Sequence, residues 1–319
     1  MEAIVLRPVE VKRDFGELAH LFSVEQDEPV SEHELKLDYE AHKERIVRVM
    51  VAEDATGELL GFSWATRSRY DSNQAYFYVM VKPQHRKQGV GGQLYADLER
   101  AAQRAEIQSL EVNIRDACQE CRSFAEQRGF TDQSHYIGLA LNLDDFDDRM
   151  YDGTIAKLKG DGFQFTSMEE LGDTKEAKHK LYHLNDTTNM EMNVPEDQHI
   201  WLSFDDFQKK VCQMDWYKPE GQLVAIDTVT GTWAGMSAIT RYTGSDHAYN
   251  LHTGVDRRYC GRDLAQVLLV LAARYAQEVL RAKSVHSDEN ARNLSSIAIY
   301  RKLGYVKTPG TIAMEKKLP

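Results

Sequence analysis

Residues 81–94, VKPQHRKQGVGGQL, combine basic side chains and closely spaced glycines directly before an apolar helical pattern. Backbone N–H groups at the start of a helix have no intrahelical acceptor, and the helix dipole adds partial positive charge there. Gly89 and Gly91 permit backbone torsions that other residues avoid, and they let a ligand approach the main chain. With Arg86 and Lys87 beside them, these residues are suited to bind a pyrophosphate group. The alternative is a helix that begins at a glycine-rich turn and binds no ligand.

The region has a partial copy 174 residues further along the chain. At that offset Thr56-Gly57 matches Thr230-Gly231 and Val81 matches Val255, with matching glycine and serine positions between them. Near the ends of the two copies, Gly129-Phe130 matches Gly304-Tyr305 at an offset of 175. Matches that keep this order indicate a duplicated domain.

Both halves predict the same order of elements around the glycine-rich loop. A strand and two helices come first, an antiparallel meander of three strands follows, and the loop then leads into a long helix, a strand, a helix and a last strand. Ser31 and Glu34 predict a capping box at the start of the second helix. We therefore expect an α+β protein with two tandem domains, each a mixed, mainly antiparallel sheet with helices on both faces. The expected bounds are residues 1–145 and 161–319, with a connecting helix over residues 146–160.

Composition narrows the classes of function. The formal net charge is −11 and the pI is about 5.5, so a nucleic-acid partner is disfavoured. No apolar run reaches the length of a membrane span, and the first residues lack the pattern of a signal peptide, so we expect a cytoplasmic protein. Only Cys118 and Cys121 among the four cysteines lie close together. We expect reduced thiols and no bound metal, while a redox pair would require a strand-to-helix setting.

The loop and the late helices resemble the GNAT superfamily of acetyl-CoA-dependent N-acyltransferases. The family signature, Gln/Arg-x-x-Gly-x-Gly/Ala, is matched by Arg86, Gly89 and Gly91. The second half has the late-helix pattern of the family in ENARNLSSIAIYRKLGY, residues 289–305. The resemblance covers nearly the whole chain as two copies, an organisation similar to that of mycothiol synthase.

The resemblance implies transfer of an acetyl group from acetyl-CoA directly to a primary amine of a small molecule or peptide, in a monomer or homodimer. In the family, the strand before the loop binds the pantetheine arm through its backbone. The implied cofactor-binding residues of the first half are Val79, Met80, Val81, Arg86, Lys87, Gln88, Gly89, Val90, Gly91 and Gly92. Those of the second half are Thr253, Val255, Asn290 and Asn293. The implied general acid is Tyr300, and His252, on the strand before the second loop, is a candidate base.

Each half departs from the family pattern in a different place. At the offset of 174, Cys260 replaces Arg86 and Asp263 replaces Gly89, so the second loop loses a cation and gains a carboxylate. In the first half, Ala125 stands at the position of Tyr300 and Cys118 at that of Asn293. We therefore expect the first half to bind acetyl-CoA, with catalysis by the second half as the alternative. A CoA-binding module without catalytic activity also fits these losses.

Other interpretations of the candidate residues remain open. Tyr300 and His252 can be packed side chains, and Asn290 and Asn293 can be helix caps. Tyr78 matches His252 at the offset of 174 and is better suited to binding than to accepting a proton. Segments 24–40 and 185–202 are expected at the rims of the acceptor pockets, where acidic side chains can attract an amine. These acids are Glu25, Asp27, Glu28, Glu191, Glu196 and Asp197.

Overall fold

The computed structural model of the chain describes residues 4–26, 30–68, 71–189, 203–214, 216–242 and 244–319. The chain forms two compact units. Unit 1 consists of Met1–Ser134 and Thr311–Pro319, and unit 2 consists of His135–Gly310. Of the acidic residues expected at the pocket rims, Asp27, Glu28, Glu191, Glu196 and Asp197 and the side chain of Glu25 lie outside the described residues.

Unit 1 contains a six-stranded sheet in the order β1-β2-β3-β4-β5-β12. Its strands are β1 (Val5–Pro8), β2 (Ile46–Glu53), β3 (Leu59–Arg67), β4 (Gln74–Val81), β5 (Ser109–Arg115) and the end of β12 (Val306–Lys317). Its helices are α1 (Val11–Gln26), α2 (Glu32–His42), α3 (Val90–Arg104) and α4 (Gln119–Glu126). All neighbouring strands are antiparallel except β4 and β5. The capping box of Ser31 and Glu34 is confirmed at the start of α2.

Unit 2 contains a sheet in the order β6-β11-β10-β9-β8-β7. Its strands are β6 (Thr131–Asn142), β7 (Phe163–Ser167), β8 (Gln222–Asp227), β9 (Thr232–Thr240), β10 (His247–Val255) and β11 (Ser284–Asn290). Its helices are α5 (Asp152–Gly160), α6 (Lys175–Asn189), α7 (Phe204–Phe207), α8 (Leu264–Glu278) and α9 (Leu294–Lys302). Again one pair of adjacent strands, β10 and β11, is parallel.

Helices cover both faces of each sheet because alternate strand residues point to opposite faces. In β2, Val49 and Val51 pack with α1 and α2, whereas Met50 and Ala52 pack with α3. In unit 2, Val224 of β8 packs with α6 and α7, whereas its neighbour Ala225 packs with α5 and α8. The expected α+β class, with mainly antiparallel sheets between helices, is confirmed.

The two units do not divide the chain at the expected residues. Thr311–Lys317 of β12 pair with β5 in unit 1, whereas Tyr136–Asn142 of β6 pair with β11 in unit 2. Each sheet is thus completed by the terminal strand that the repeat assigns to the other half. The connecting helix expected over residues 146–160 forms as α5, but it packs Ile155 and Leu158 into the core of unit 2.

The cysteines correct the expectation of reduced thiols. Cys118 and Cys121 form a disulfide, whereas Cys212 and Cys260 are not disulfide-bonded. Cys118 follows β5 and is the N-cap of α4, so this pair has the strand-to-helix setting on which the redox alternative depended. Separately, none of the helices formed by the described residues is both long enough and apolar enough to cross a bilayer.

Candidate active sites of the two units

The strands β4 and β5 separate in the middle of the sheet of unit 1. Their parallel pairing is limited to Gln74↔Ser109, Ala75↔Leu110 and Tyr76↔Glu111. Beyond these pairs β4 continues to Val81 along β3 only. A gap therefore opens between β4 and β5 on the way to the glycine-rich loop.

Backbone groups of β4 are directed into this gap at every second residue. Lys82 N donates to Leu60 O (2.9 Å) and Ser68 N donates to Gln74 O (2.7 Å). Hydrogen bonding alternates along an antiparallel pair, so the even-numbered residues of β4 bond to β3. Val79 and Val81 consequently direct their peptide groups toward the gap. Met80, which was expected to bind the cofactor through its backbone, directs its peptide groups to β3.

The loop before α3 exposes a row of unpaired amides. Lys87 and Gly89 both have positive φ, 61° and 90°, and the first helical bond is donated by Gln93 N to Gly89 O (3.1 Å). Among the described residues, no protein acceptor is found for the N–H groups of residues 88–92. Successive amides at a helix start form an anion-binding concavity. This geometry fits the diphosphate of a nucleotide.

The side chains of the loop hold it in place. Arg86 Nε donates to Val81 O (3.1 Å), which ties the loop to the end of β4. Lys87 Nζ lies 2.6 Å from Glu120 Oε1 in an exposed pair, and Gln88 Nε2 donates to Gln84 O (3.0 Å). Val90 is buried, so only its backbone is available to a ligand.

Gly91 and Gly92 lie in the first turn of α3. A Cβ atom at Gly91 would lie 3.4 Å from the ring of Phe124 and 3.5 Å from Val81. At Gly92 it would lie 3.5 Å from the guanidinium of Arg128, which stacks on the Phe124 ring. These are ordinary van der Waals distances, so packing against α4 does not require glycine at either position.

The loop of unit 2 has the same backbone path with different side chains. Gly261 (φ 77°) and Asp263 (φ 60°) hold the two left-handed positions, and Val267 N donates to Asp263 O (3.0 Å). Cys260 Sγ lies 3.9 Å from Val255 O, the carbonyl equivalent to the one that Arg86 binds. The second loop therefore keeps the shape of the first and lacks its arginine.

The parallel strands of unit 2 also separate, and here β10 contains a bulge. β10 and β11 pair from His247↔Ser284 to Tyr249↔His286, while the register between β10 and β9 shifts between Asn250 and His252. An extra residue, Leu251, is thus accommodated in β10. β4 pairs with β3 without such a shift. After the bulge, Asp256 N donates to Ala234 O (2.9 Å), so Thr253 and Val255 direct their peptide groups away from β9. Their contact with a cofactor stays a prediction.

A buried polar network lies where β10 and β11 separate. Tyr300 of α9 lies within hydrogen-bonding distance of Ser287 Oγ (3.1 Å) and donates to Asn250 Oδ1 (3.3 Å). Asn250 Nδ2 donates to Ser237 Oγ (2.8 Å), and Thr253 Oγ1 donates to Asn250 Oδ1 (3.0 Å). Burial raises the pKa of Tyr300, so its hydroxyl remains protonated. The tyrosine expected as the general acid thus lies at the vertex of the gap, the point where β10 and β11 stop pairing.

Unit 1 is apolar at the same place. Counted from the last parallel pair of each unit, Phe77 replaces Asn250 and Val112 replaces Ser287. Ser63, at the position of Ser237, is buried, and its hydroxyl has no hydrogen-bond partner in the described part of the chain. The sequence comparison aligned Ser237 with Ser63 without assigning either a role, and it did not single out Ser287. It missed Asn250 because the offset of 174 places this residue opposite Tyr76. Allowing the offset to change by one residue at Leu251 would have aligned Asn250 with Phe77.

His252 binds Thr188 of α6, with 2.8 Å between Nε2 and Oγ1. Thr188 donates its only hydroxyl hydrogen to Leu184 O (2.9 Å), so Nε2 of His252 carries the proton and Nδ1 is the acceptor. Desolvation lowers the pKa of His252 to about 4, so the imidazole is neutral near pH 7 and a weak base. His252 pairs with Ala238 as Tyr78 pairs with Trp64, which confirms that these residues correspond.

Asn290 and Asn293 make local hydrogen bonds before and at the start of α9. Asn293 Oδ1 accepts from Ser296 N (3.3 Å), and Asn290 Oδ1 accepts from Arg292 N (2.9 Å). Asn293 Nδ2 also donates to Glu289 Oε1 (3.2 Å). The capping interpretation is therefore confirmed for Asn293, the N-cap of α9, whereas Asn290 stabilises the turn before it. Contact of either side chain with a cofactor stays a prediction.

Comparison with known proteins identifies both halves. Residues 45–132 match the family described as "Acetyltransferase (GNAT) domain", and residues 184–305 match "Acetyltransferase (GNAT) family". No curated protein matches the sequence.

Solved structures share the tandem fold. A GCN5-related N-acetyltransferase from Sphaerobacter thermophilus is similar over 98% of this chain and 95% of its own, with 19% identity and a TM-score of 0.71. A tandem GNAT protein from the clavulanic acid biosynthesis pathway is similar over 99% and 98%, with 15% identity and a TM-score of 0.72. The chain also resembles the glucosamine N-acetyltransferase region of a fungal β-N-acetylglucosaminidase (13% identity, TM-score 0.74) and spans 38% of that protein.

Proposed function

Because the chain belongs to the GNAT family of acetyltransferases, we propose that it is an N-acetyltransferase that uses acetyl-CoA and binds it in unit 1. The acceptor is a primary amine of a small molecule or peptide. One observation carries the proposal: the row of unpaired amides at residues 88–92 continues the open backbone edge of β4. Acetyl-CoA supplies the activated acyl group when it is bound.

The residues of unit 1 divide the binding of acetyl-CoA among them. The amides at the start of α3 hold the diphosphate, where the helix dipole also favours negative charge. Arg86 adds a fixed positive charge and keeps the loop against Val81. Val79 and Val81 offer their peptide groups to the amides of the pantetheine arm, which extends the sheet by one strand-like pairing.

The second candidate places the chemistry in unit 2. The hydroxyl of Tyr300 at the vertex of its gap favours this candidate, because unit 1 has Ala125 at the position of Tyr300 and the apolar Phe77 and Val112 where unit 2 has Asn250 and Ser287. In this arrangement Tyr300 protonates the leaving thiolate, and unit 1 binds nucleotide without turning it over. Cys260 and Asp263 oppose it, because they remove a cation and add a carboxylate at the phosphate site.

Calorimetric titration with acetyl-CoA tests the proposal. The double variant Arg86→Ala, Gly89→Asp is expected to weaken binding at least about 10–100-fold, since a charge-assisted hydrogen bond contributes about 1.5–3 kcal/mol. The second loop already carries Asp263 at the position of Gly89. The control variant Cys260→Ala, Gly261→Asp changes two residues of that loop, including the one at the position of Lys87, and is expected to retain affinity. Thiol release across a panel of primary amines reports turnover. If only the unit 2 variant loses binding and turnover, unit 2 and not unit 1 carries the function. If the unmodified protein releases no thiol with any amine, the proposed acetyltransferase activity is disproved.

A further inference from the structure

Unit 2 contains a pocket of about 230 Å³ on the α6 and α7 side of its sheet. We call it the unit 2 pocket. Most of its wall is apolar, and the contributing side chains include Leu181, Phe207, Val211, Trp216 and Met236. An apolar cavity of about 150 Å³ can hold benzene, and drug-sized ligands occupy clefts of about 300–1,000 Å³. The volume therefore suits a substituted benzene ring.

One buried donor in the wall has no partner. Gln222, the first residue of β8, lines the pocket and is 1% exposed. Its Nε2 group has no hydrogen-bond acceptor among the described residues. Buried polar groups of native proteins are nearly always hydrogen-bonded, because an unpaired one loses its hydration without compensation. An acceptor atom of a bound molecule would satisfy this group.

The bulge in β10 brings a second polar group to the same wall. Because Leu251 is the extra residue, it and His252 both line the pocket, Leu251 at the exposed rim. Nε2 of His252 is held by Thr188, and this leaves Nδ1 as the acceptor of the ring. A ligand group that both donates and accepts hydrogen bonds can use Nδ1 and Gln222 together.

The described part of the wall carries no formal charge to match a charged ligand. None of the described residues that line it is Asp, Glu, Lys or Arg. Transfer of an unpaired charge into such a site is strongly unfavourable. We propose that the unit 2 pocket binds an uncharged, mainly aromatic or aliphatic molecule whose hydrogen-bond acceptor meets Nε2 of Gln222. The site needs no acetyl-CoA, so this inference holds or fails independently of the proposed function.

Three isosteric probes test the charge requirement on the full chain by calorimetry, in the absence of acetyl-CoA. Benzamide offers a ring, a carbonyl acceptor and an N–H donor, whereas benzoate is an anion and benzylamine a cation at pH 7. We expect saturable binding of benzamide and at least tenfold weaker binding of the two ions. Equal affinity for the three probes, or no binding of benzamide, overturns the proposal.

Variants test the site itself. Gln222→Leu removes the unpaired donor and is expected to weaken benzamide binding roughly 3–10-fold, the contribution of one neutral hydrogen bond. Leu251→Trp fills the rim from an exposed position and is expected to abolish binding. Ser63→Ala removes the buried unpaired hydroxyl of unit 1 and is the matched control, with unchanged binding. Unchanged affinity in Gln222→Leu, or in Leu251→Trp if Gln222→Leu does not fold, contradicts the assignment.

Discussion

Ser63 and Ser237 occupy the same position in the middle strand of the meander in their respective units. Ser237 Oγ lies 2.8 Å from both Thr253 Oγ1 and Asn250 Nδ2, whereas Ser63 Oγ is buried without a hydrogen-bond partner in the described structure. The difference arises because the neighbours of Ser63 are Phe77 and Val79 where unit 2 has Asn250 and Thr253. The vertex of unit 1 thus contains the serine but has apolar side chains where unit 2 has the polar groups that bind it.

Opposite effects on stability are expected for alanine at these two serines. Ser63→Ala removes an unsatisfied buried hydroxyl and should raise the free energy of unfolding by up to about 1 kcal/mol. Ser237→Ala leaves Asn250 Nδ2 without its closest acceptor and should lower that free energy by about 1–3 kcal/mol. Urea unfolding of the two variants beside the unmodified protein measures both values. Destabilisation of similar size in both variants would show that Ser63 has a partner.

Substitutions at the positive-φ positions of the two loops are also expected to change stability in opposite directions. Asp263→Gly relieves φ 60° in a residue with a side chain and should stabilise the protein by about 0.5–1 kcal/mol. Gly89→Ala introduces a side chain at φ 90° and should destabilise by about 1–2 kcal/mol. No atom lies within 4 Å of the added Cβ at Gly89, so the cost arises in the backbone. Thermal unfolding measures both, and a stabilising Gly89→Ala would contradict the loop geometry.

Gly254 lets α6 pack directly on β10. A Cβ atom there would lie 2.4 Å from Cβ of Thr188 and 2.8 Å from Nε2 of His252. Gly254→Ala should therefore displace α6, break the bond between these two side chains and destabilise the protein by about 1–3 kcal/mol. Gly153→Ala in α5 is the control, since no atom lies within 4 Å and alanine favours the helix. The denaturation midpoints of the two variants are compared. Equal midpoints would show that Gly254 is not in close contact with Thr188 and His252.

His252 predicts a pH dependence of stability. Its pKa is lowered from 6.5 to about 4 in the folded protein. Between these values the unfolded chain binds the proton more readily, so the contribution of His252 is complete above about pH 6.5 and is lost as the pH falls toward 4. The residue is partly exposed and lines the unit 2 pocket, and we therefore expect a loss of up to about 2 kcal/mol. The free energies of unfolding of the unmodified protein and of His252→Gln are measured at pH 7 and pH 4.5. We expect the unmodified protein to lose more stability between these pH values than the variant, and an equal loss in both would contradict the prediction.

The disulfide predicts a thiol count. The unreduced, denatured chain should react with two equivalents of a thiol reagent, at Cys212 and Cys260, and with four after reduction. Cys118→Ser should raise the unreduced count by releasing Cys121. Four reactive thiols without reduction would show that no disulfide is present, as the sequence analysis expected.

Local features were predictable from the sequence because their causes lie within a few residues. The capping box of Ser31 and Glu34 and the glycine-rich start of α3 depend on backbone groups adjacent in the chain. The match of Tyr78 with His252 also holds, because both follow the bulge position and precede the loop at the same spacing. The bulge itself was missed, since an inserted Leu251 leaves the apolar pattern of β10 readable in either register.

By itself, the sequence determined that two copies of one α+β domain are present, that each has a glycine-containing loop before its long helix, and that the second copy lacks the arginine. Only the tertiary structure decided which terminal strand completes which sheet, because the pairing of residues 136–142 with β11 and of residues 311–317 with β5 joins segments far apart in the sequence. It also decided that Tyr300, Asn250 and Ser287 meet, since these residues come from a helix and two strands that only folding brings together. The unpaired amide of Gln222 is a third such feature, because satisfaction of a buried donor depends on every neighbour in space and on none in sequence.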